Sequence, residues 1–158
     1  LKTDNFQVDN AMLTYYLKTR YYNVIGQDNQ YLTMLGLDTT KSLKSQSYGD
    51  GTWFDYFLSQ ATQQAKETLL CAEKAKADGY ELTEEDIKAI DDTMAGFAAE
   101  AESYKIDEAT YYNSVFGQGI KKEDVRRAVE LSQLATNYYD DYMDTLVYDD
   151  AKLRFTQV

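Results

Sequence analysis

The chain of 158 residues contains no histidine, no proline and a single cysteine, Cys71. The absence of histidine excludes Ser-His-Asp and Cys-His catalytic centres, and it excludes zinc and di-iron sites that need histidine ligands. One cysteine forms no internal disulfide, and the apolar helical surroundings of Cys71 favour a packed thiol over a nucleophile. The absence of proline is typical of long uninterrupted helices. We therefore predict no catalytic residue, no metal and no cofactor.

Positive charge is also scarce, because 16 basic side chains face 27 acidic ones and leave a net charge of −11. The excess lies in residues 79–158, whose net charge is −10, whereas residues 1–78 have a net charge of −1. A nucleic-acid partner is not expected, since phosphate binding needs a basic face. The acidic pairs, such as Asp91-Asp92 and Asp140-Asp141, lack the ligand spacing of a calcium loop. They indicate a solvated acidic face.

No apolar run approaches the roughly 18 residues that cross a bilayer. The length suits one domain, which we place at residues 1–150. The following segment, residues 151–158, alternates polar and apolar residues, as a strand at the start of a further domain would. Because the first residue is Leu1 and not a methionine, we expect it to be either an engineered or a processing boundary.

The hydrophobic pattern predicts an all-α bundle of about five helices with a long N-terminal helix. That helix is predicted over residues 8–35, capped by Asp9 or Asn10 and ended by Gly36, with a length of roughly 40 Å. Apolar residues on two of its sides require neighbours on both sides, or a partner on one. A polar connection over residues 37–51 follows.

Three further cap residues predict the starts of later helices: Thr52, Thr83 and Asp107. After Thr52, residues expected to face the core follow one another at steps of three and four positions: Trp53, Phe57, Ala61, Ala65, Thr68, Ala72 and Ala75. Behind Thr83, a second stripe recurs in the same way: Ile87, Ile90, Met94, Phe97, Ala101 and Tyr104. Gly96 inside this helix predicts a close helix crossing. A short helix is predicted over residues 108–116 and a last one over residues 122–146.

Three segments carry a resemblance to a known family: Leu82–Ile87, Phe116–Arg126 and Leu134–Asp140. They begin two helices and form a paired-aromatic run inside the second one. Their order resembles the helical chaperone domain of SurA- and PrsA-type foldases, which are parvulin-type peptidyl-prolyl isomerases. Lys121 departs from the pattern, because a Ser or Thr cap is common there. The catalytic domain that often follows in the family is not in this chain.

The resemblance implies the fold of a SurA N-terminal or trigger-factor-like peptide-binding bundle. It implies a module that binds unfolded or extended polypeptide outside the cytoplasm, and prolyl isomerisation by a further domain of a longer protein. The Tyr-rich composition is similar to lipoprotein members of Gram-positive bacteria, which implies anchoring at the cell surface. The membrane would be reached through an anchor outside this chain.

Aromatic residues are the unusual feature of the composition, with 15 tyrosines, six phenylalanines and one tryptophan. In pairs such as Tyr15-Tyr16, one ring can enter the core while its neighbour faces a groove, because adjacent helical residues point about 100° apart. Tyrosine offers large contact area at little entropic cost. The predicted peptide-binding residues are Tyr15, Tyr16, Tyr22, Trp53 and Phe57.

Alternatives remain for these residues. The tyrosines also fit a core whose hydroxyls reach the surface. Trp53 and Phe57 fit either an exposed anchor for a partner or a staple that pins the second helix to the first. For the whole chain, a structural scaffold or homodimerisation module without client binding is the alternative function, and the long two-sided first helix suits both.

Overall fold

A computed structural model describes residues 1–27 and 29–145. The predicted tail, residues 151–158, and the boundary at residue 150 lie outside the described residues. Six α-helices, one short 3₁₀ helix at Leu43–Ser45 and one two-stranded hairpin make up the regular structure of the described part, which confirms the all-α prediction. Their bounds are α1 Asn10–Ile25, α2 Asn29–Leu35, β1 Ser47–Tyr48, β2 Gly51–Thr52, α3 Trp53–Ala77, α4 Glu84–Ser103, α5 Glu108–Phe116 and α6 Lys122–Thr145.

The predicted cap residues begin the helices as expected. The side chains of Asp9, Thr52, Thr83 and Asp107 each accept a hydrogen bond from a backbone N–H in the first turn of α1, α3, α4 and α5. At Thr52 and Thr83, the side chain of an aspartate three residues later accepts a hydrogen bond from the backbone N–H of the threonine, which completes a capping box. Each capping threonine stabilises its helix by about 1 kcal/mol. These local bonds explain why the helix starts follow from the sequence.

The prediction of one long N-terminal helix over residues 8–35 is wrong. The helix α1 ends at Ile25, and α2 begins at Asn29. Gly26 has low helix propensity, and because it is exposed no burial compensates for that. At 16 residues, α1 is about 24 Å long. The predicted stop at Gly36 is confirmed for α2, since Gly36 adopts a φ of 71° and Leu37 donates its N–H to Leu32.

The centre of the bundle is built from α1, α3 and α6. Arg20 contacts Gln64 and Asn5 contacts Glu73, so α1 and its N-terminal lead-in run opposite to α3. Every residue of the predicted α3 stripe is buried. The alanines of the stripe leave room for close approach of the neighbouring helices. The central core between the three helices contains Met12, Tyr16, Ala61, Ala65, Leu69, Ala72, Ala128 and Leu131.

A second core joins α4, α5 and the start of α6. Ile90, Met94 and Ala101 of the predicted α4 stripe are buried there, against Tyr111, Tyr112 and Phe116 of α5. The ends of that stripe are on the surface, since Ile87 and Tyr104 are 39% and 69% exposed. The close crossing predicted at Gly96 is wrong, because nothing lies within 4 Å of the position that a Cβ would occupy.

The connection between α2 and α3 is more ordered than its polar sequence suggests. Gln46 is buried and accepts a hydrogen bond from the Asp38 N–H, while its amide donates to the carbonyls of Asp38 and Lys41. A short hairpin, β1 and β2, then leads into α3. Because one side chain holds the loop, the chain arrives at Trp53 in a fixed position, and Trp53 donates its N–H to the Gln46 carbonyl.

Candidate functional site

Three of the five predicted peptide-binding residues belong to the core. Tyr16, Trp53 and Phe57 are each only 1% exposed. Tyr16 donates a hydrogen bond to the Ala128 carbonyl and accepts one from Ser132. Their prediction as surface rings is therefore corrected, because their apolar area is already buried by the protein itself.

Trp53 and Phe57 act as the staple that was one of the two sequence-based alternatives. They form a third core with Leu32 and Leu37, and the ring of Tyr21 in α1 lies 5.7 Å from that of Phe57. This contact pins α3 to α1 at the loop end of the bundle. The aromatic start of α3 is thus explained by packing.

The other two predicted residues link α1 to α5. The ring of Tyr15 is half-buried, 5.3 Å from that of Phe116. Tyr22 is 37% exposed, but its hydroxyl donates a hydrogen bond of 2.8 Å to the Val115 carbonyl. Both rings serve contacts between helices. The five predicted residues are distributed over separate packing sites and do not form one surface.

Two exposed aromatic side chains, Tyr139 and Tyr142, lie close together near the end of the described part of α6. Positions three and four residues apart share a face of a helix, so Tyr138 and Tyr142 continue the buried stripe of Leu131 and Ala135. α3 ends at Ala77, which leaves Tyr138 half-buried and Tyr142 51% exposed. The apolar stripe of α6 therefore extends past the helix that covers it. Among the described residues, its last rings stay partly exposed.

Three rings form a continuous row at this end, which we call the tyrosine row: Tyr80, Tyr138 and Tyr142. Tyr80, in the connection between α3 and α4, meets Tyr138 edge to face with centroids 5.7 Å apart. Tyr138 stacks on Tyr142 at 6.3 Å. Contacts between rings at these distances are favourable and hold the rings in a defined arrangement.

Hydrogen bonds to carboxylates fix two rings of the row. The Tyr80 hydroxyl donates to Asp141 at 2.8 Å, and this bond raises the pKa of Tyr80 to about 12. The Tyr138 hydroxyl donates to Asp78, which also accepts from Lys74. The bond to Asp78 raises the pKa of the Tyr138 hydroxyl. Rings held in this way lose little side-chain entropy when a partner covers them.

A groove between α3 and α6 continues the row. Its volume is about 470 Å³, and it is lined by Glu67, Thr68, Cys71, Ala135, Thr136 and Tyr139. Tyr139 is 52% exposed and follows Tyr138 directly in the chain. Burial, together with the nearby Glu67, raises the pKa of the Cys71 thiol. The thiol is thus a poor nucleophile at neutral pH, and the groove offers apolar contact without covalent chemistry.

A second cleft of about 480 Å³ lies between the N-terminal lead-in and α6. Its walls include Phe6 and Met12, and the charge of Arg127 at its edge is paired with Asp9 and Asp124. Met12 is buried and Phe6 is only half-exposed. This cleft has apolar walls but presents no exposed ring, so it is the weaker candidate for binding another chain.

Two structural observations concern other kinds of site. Across residues 1–27 and 29–145, no three cysteine or carboxylate side chains come together as metal ligands. In the same residues, none of the helices combines the length and the apolar character of a membrane span.

Comparisons of the chain with protein-family models, with curated proteins and with solved structures give no match. The resemblance to the foldase family therefore stays a prediction. Its three segments lie at the start of α4, at the junction of α5 and α6, and in the C-terminal half of α6. The last of these contains Tyr138 and Tyr139.

Proposed function

We propose that this chain is a chaperone module that transiently binds unfolded or extended polypeptides, with the tyrosine row and the adjoining groove as its binding surface. The observation that carries the proposal is the end of the described part of α6, where Tyr139 and Tyr142 are each about half exposed. Rings that remain half exposed beside a buried stripe, among the described residues, are suited to cover apolar side chains of another chain.

The physics of such a surface favours weak and sequence-tolerant binding. Burial of apolar area is nondirectional, and each tyrosine adds a hydroxyl that can meet a passing backbone. An extended client loses conformational entropy when it is ordered, which offsets much of the gain. A client would be held away from aggregation and released again to fold.

The family resemblance supports a module that is one part of a longer protein. It supports an extracytoplasmic protein, anchored at the cell surface of a Gram-positive bacterium, in which a separate domain catalyses prolyl isomerisation. Under this proposal the bundle itself carries no catalytic residue. Its contribution is to raise the local concentration of a client near the rest of the protein.

A structural scaffold or homodimer is the competing function, and the exposed Tyr142 also suits a second copy of the chain. The long two-sided first helix no longer supports that alternative. The helix α1 is short, and its two apolar sides meet α3 and α6 on one side and α5 on the other. Light scattering over a range of protein concentrations distinguishes the two functions, since only the competing one predicts dimers.

The test is suppression of the aggregation of a denatured client on dilution. The variant Y139A/Y142A removes two exposed rings at the candidate surface, and M34A/Y104A removes two exposed apolar side chains elsewhere, Met34 at 74% and Tyr104 at 69% exposure. We expect the wild type and M34A/Y104A to suppress aggregation and Y139A/Y142A to lose most of that effect. Equal suppression by both variants, or none by the wild type, would contradict the proposal.

A further inference from the structure

The tyrosine row is edged by carboxylates. Tyr80 contacts Asp141, and the charges of Asp86 and Asp140 act on the same hydroxyl. In the described part of the chain, no ion pair involves Asp86, Asp140 or Asp141. The neighbouring cation, Lys74, is already paired with Asp78. The surface therefore combines exposed rings with negative charge that the described residues leave uncompensated.

The position of this charge on α6 adds to the effect. Asp140, Asp141 and Asp144 lie in the last two turns of the described helix, and its last turn has no basic residue. A cation placed against this segment would interact favourably with the three aspartates together.

The opposite end of the bundle shows a different arrangement. There, the ammonium group of Lys18 lies about 6 Å from the rings of Tyr21 and Tyr22, and that of Lys44 lies 4.6 Å from the ring of Phe54. In the described residues, these are the rings that have a lysine over their face. Among the described residues, the rings of the tyrosine row have no lysine over them, and the exposed part of Tyr142 can take a cation from another chain.

From this combination we infer that the segment bound at the tyrosine row is cationic as well as apolar: an extended stretch in which lysine or arginine alternates with apolar side chains. This inference rests on the proposed function and narrows its clients. Apolar side chains cover Tyr139 and Tyr142, and the cations lie between the ring faces and the carboxylates of Asp140 and Asp141. Acidic clients are repelled by the same charges.

The experiment compares three labelled peptides of one extended apolar framework that carry Lys, Ser or Glu at the alternating positions. Fluorescence anisotropy measures their binding to the full chain. We expect the Lys peptide to bind most tightly and the Glu peptide most weakly. The difference should shrink as salt is raised towards 1 M, where the Debye length is about 3 Å.

Two variants localise the effect. D140N/D141N removes two charges at the row and keeps an oxygen that accepts the Tyr80 hydrogen bond, whereas D50N/E102Q removes two exposed charges at other places on the surface. We expect D140N/D141N to weaken binding of the Lys peptide by roughly three- to tenfold at low salt and to leave the Ser peptide nearly unchanged. D50N/E102Q should affect both peptides little.

The outcomes separate the inference from the function beneath it. Equal binding of the three peptides overturns the inference and leaves the proposed function standing. Absence of binding by all three overturns both. Equal weakening by the two variants shows a general effect of net charge and overturns the assignment to the row. The variant K152Q/R154Q tests the chain's own basic residues as the occupant, and tighter binding of the uncharged Ser peptide by it would overturn the choice of an external partner.

Discussion

The hydroxyl of Tyr80 donates a hydrogen bond of 2.8 Å to the carboxylate of Asp141 and so joins the α3–α4 connection to the end of α6. The pair are 61 residues apart in the chain. The bond holds the proton on the phenol, and with smaller contributions from burial and from Asp86 and Asp140 it raises the pKa of Tyr80 to about 12. The tyrosine row is therefore anchored by a contact that only the folded chain makes.

Replacing Asp141 with asparagine should move the pKa of Tyr80 back towards 10. The neutral amide oxygen still accepts the bond but no longer favours the protonated phenol over the phenolate. An ultraviolet titration of tyrosinate, taken as a difference between wild type and D141N, measures the change. An unchanged titration curve would show that Tyr80 and Asp141 do not interact in solution.

This raised pKa also sets the direction of the alkaline dependence. The pKa of Tyr80 is higher in the folded chain than in the unfolded one, so its contribution to stability is complete below pH 10 and is lost as the pH rises through about 12. We expect chemical denaturation to show a smaller loss of stability for D141N than for wild type over that interval. A larger loss for D141N would contradict this sign.

The hydroxyl of Tyr112 provides a prediction about stability. It is buried and has no hydrogen-bond partner among the described residues. An unsatisfied buried hydroxyl costs about 1–3 kcal/mol, so Y112F should leave the free energy of unfolding unchanged or raise it by about 1 kcal/mol. The matched control is Y16F, which loses the bonds to Ala128 and Ser132 and should lower that free energy by about 1 kcal/mol. Urea denaturation of both variants measures the difference, and a loss with Y112F would contradict the burial of a free hydroxyl.

Glycine positions in two different conformations give a second matched pair. Gly96 lies inside α4 with open space around it, so G96A should raise the free energy of unfolding by about 1 kcal/mol through helix propensity. Gly79 adopts a φ of 70°, and G79A should lower the free energy of unfolding by about 1 kcal/mol because a side chain is strained there. Thermal or urea denaturation measures both. A loss of stability with G96A would indicate that another helix packs closely against Gly96, as the sequence predicted.

The features that the sequence predicted correctly depend on near neighbours in the chain. The caps at Thr52, Thr83 and Asp107 bond within one turn of their own helix. The buried α3 stripe follows from helical periodicity alone, since the same spacing places all its members on one face. The short helix Glu108–Phe116 agrees with the prediction because a cap and a glycine mark its two ends.

The remaining features depend on distant parts of the chain. The burial of Tyr16 follows from its contact with Ala128, which lies 112 residues later. Periodicity places Tyr15 and Tyr16 on neighbouring faces but does not tell which face meets another helix. The loop held by Gln46 likewise depends on backbone carbonyls that no sequence pattern identifies. The tyrosine row was missed because it needs the end of α3 to be placed against α6.

One clue to the surface was present in the sequence. The Tyr138-Tyr139 pair and the nearby Tyr142 fall at the end of the α6 stripe, beyond the small residues that pack in the bundle. A stripe that changes from alanine and leucine to tyrosine indicates a change from a tight contact to a partly exposed one. That change in residue type indicates a partly exposed surface on α6, whereas the predicted residues lie in α1 and at the start of α3.

The most direct test of the account is photo-cross-linking of an unfolded polypeptide that carries a photoreactive side chain, followed by mass spectrometry of the adducts on the full chain. We predict adducts at Tyr80 and over residues 138–142, with their loss when unlabelled polypeptide competes. Adducts concentrated at Phe6 or Met34, or adducts that do not decrease with competitor, would contradict the assignment of the tyrosine row as the binding surface.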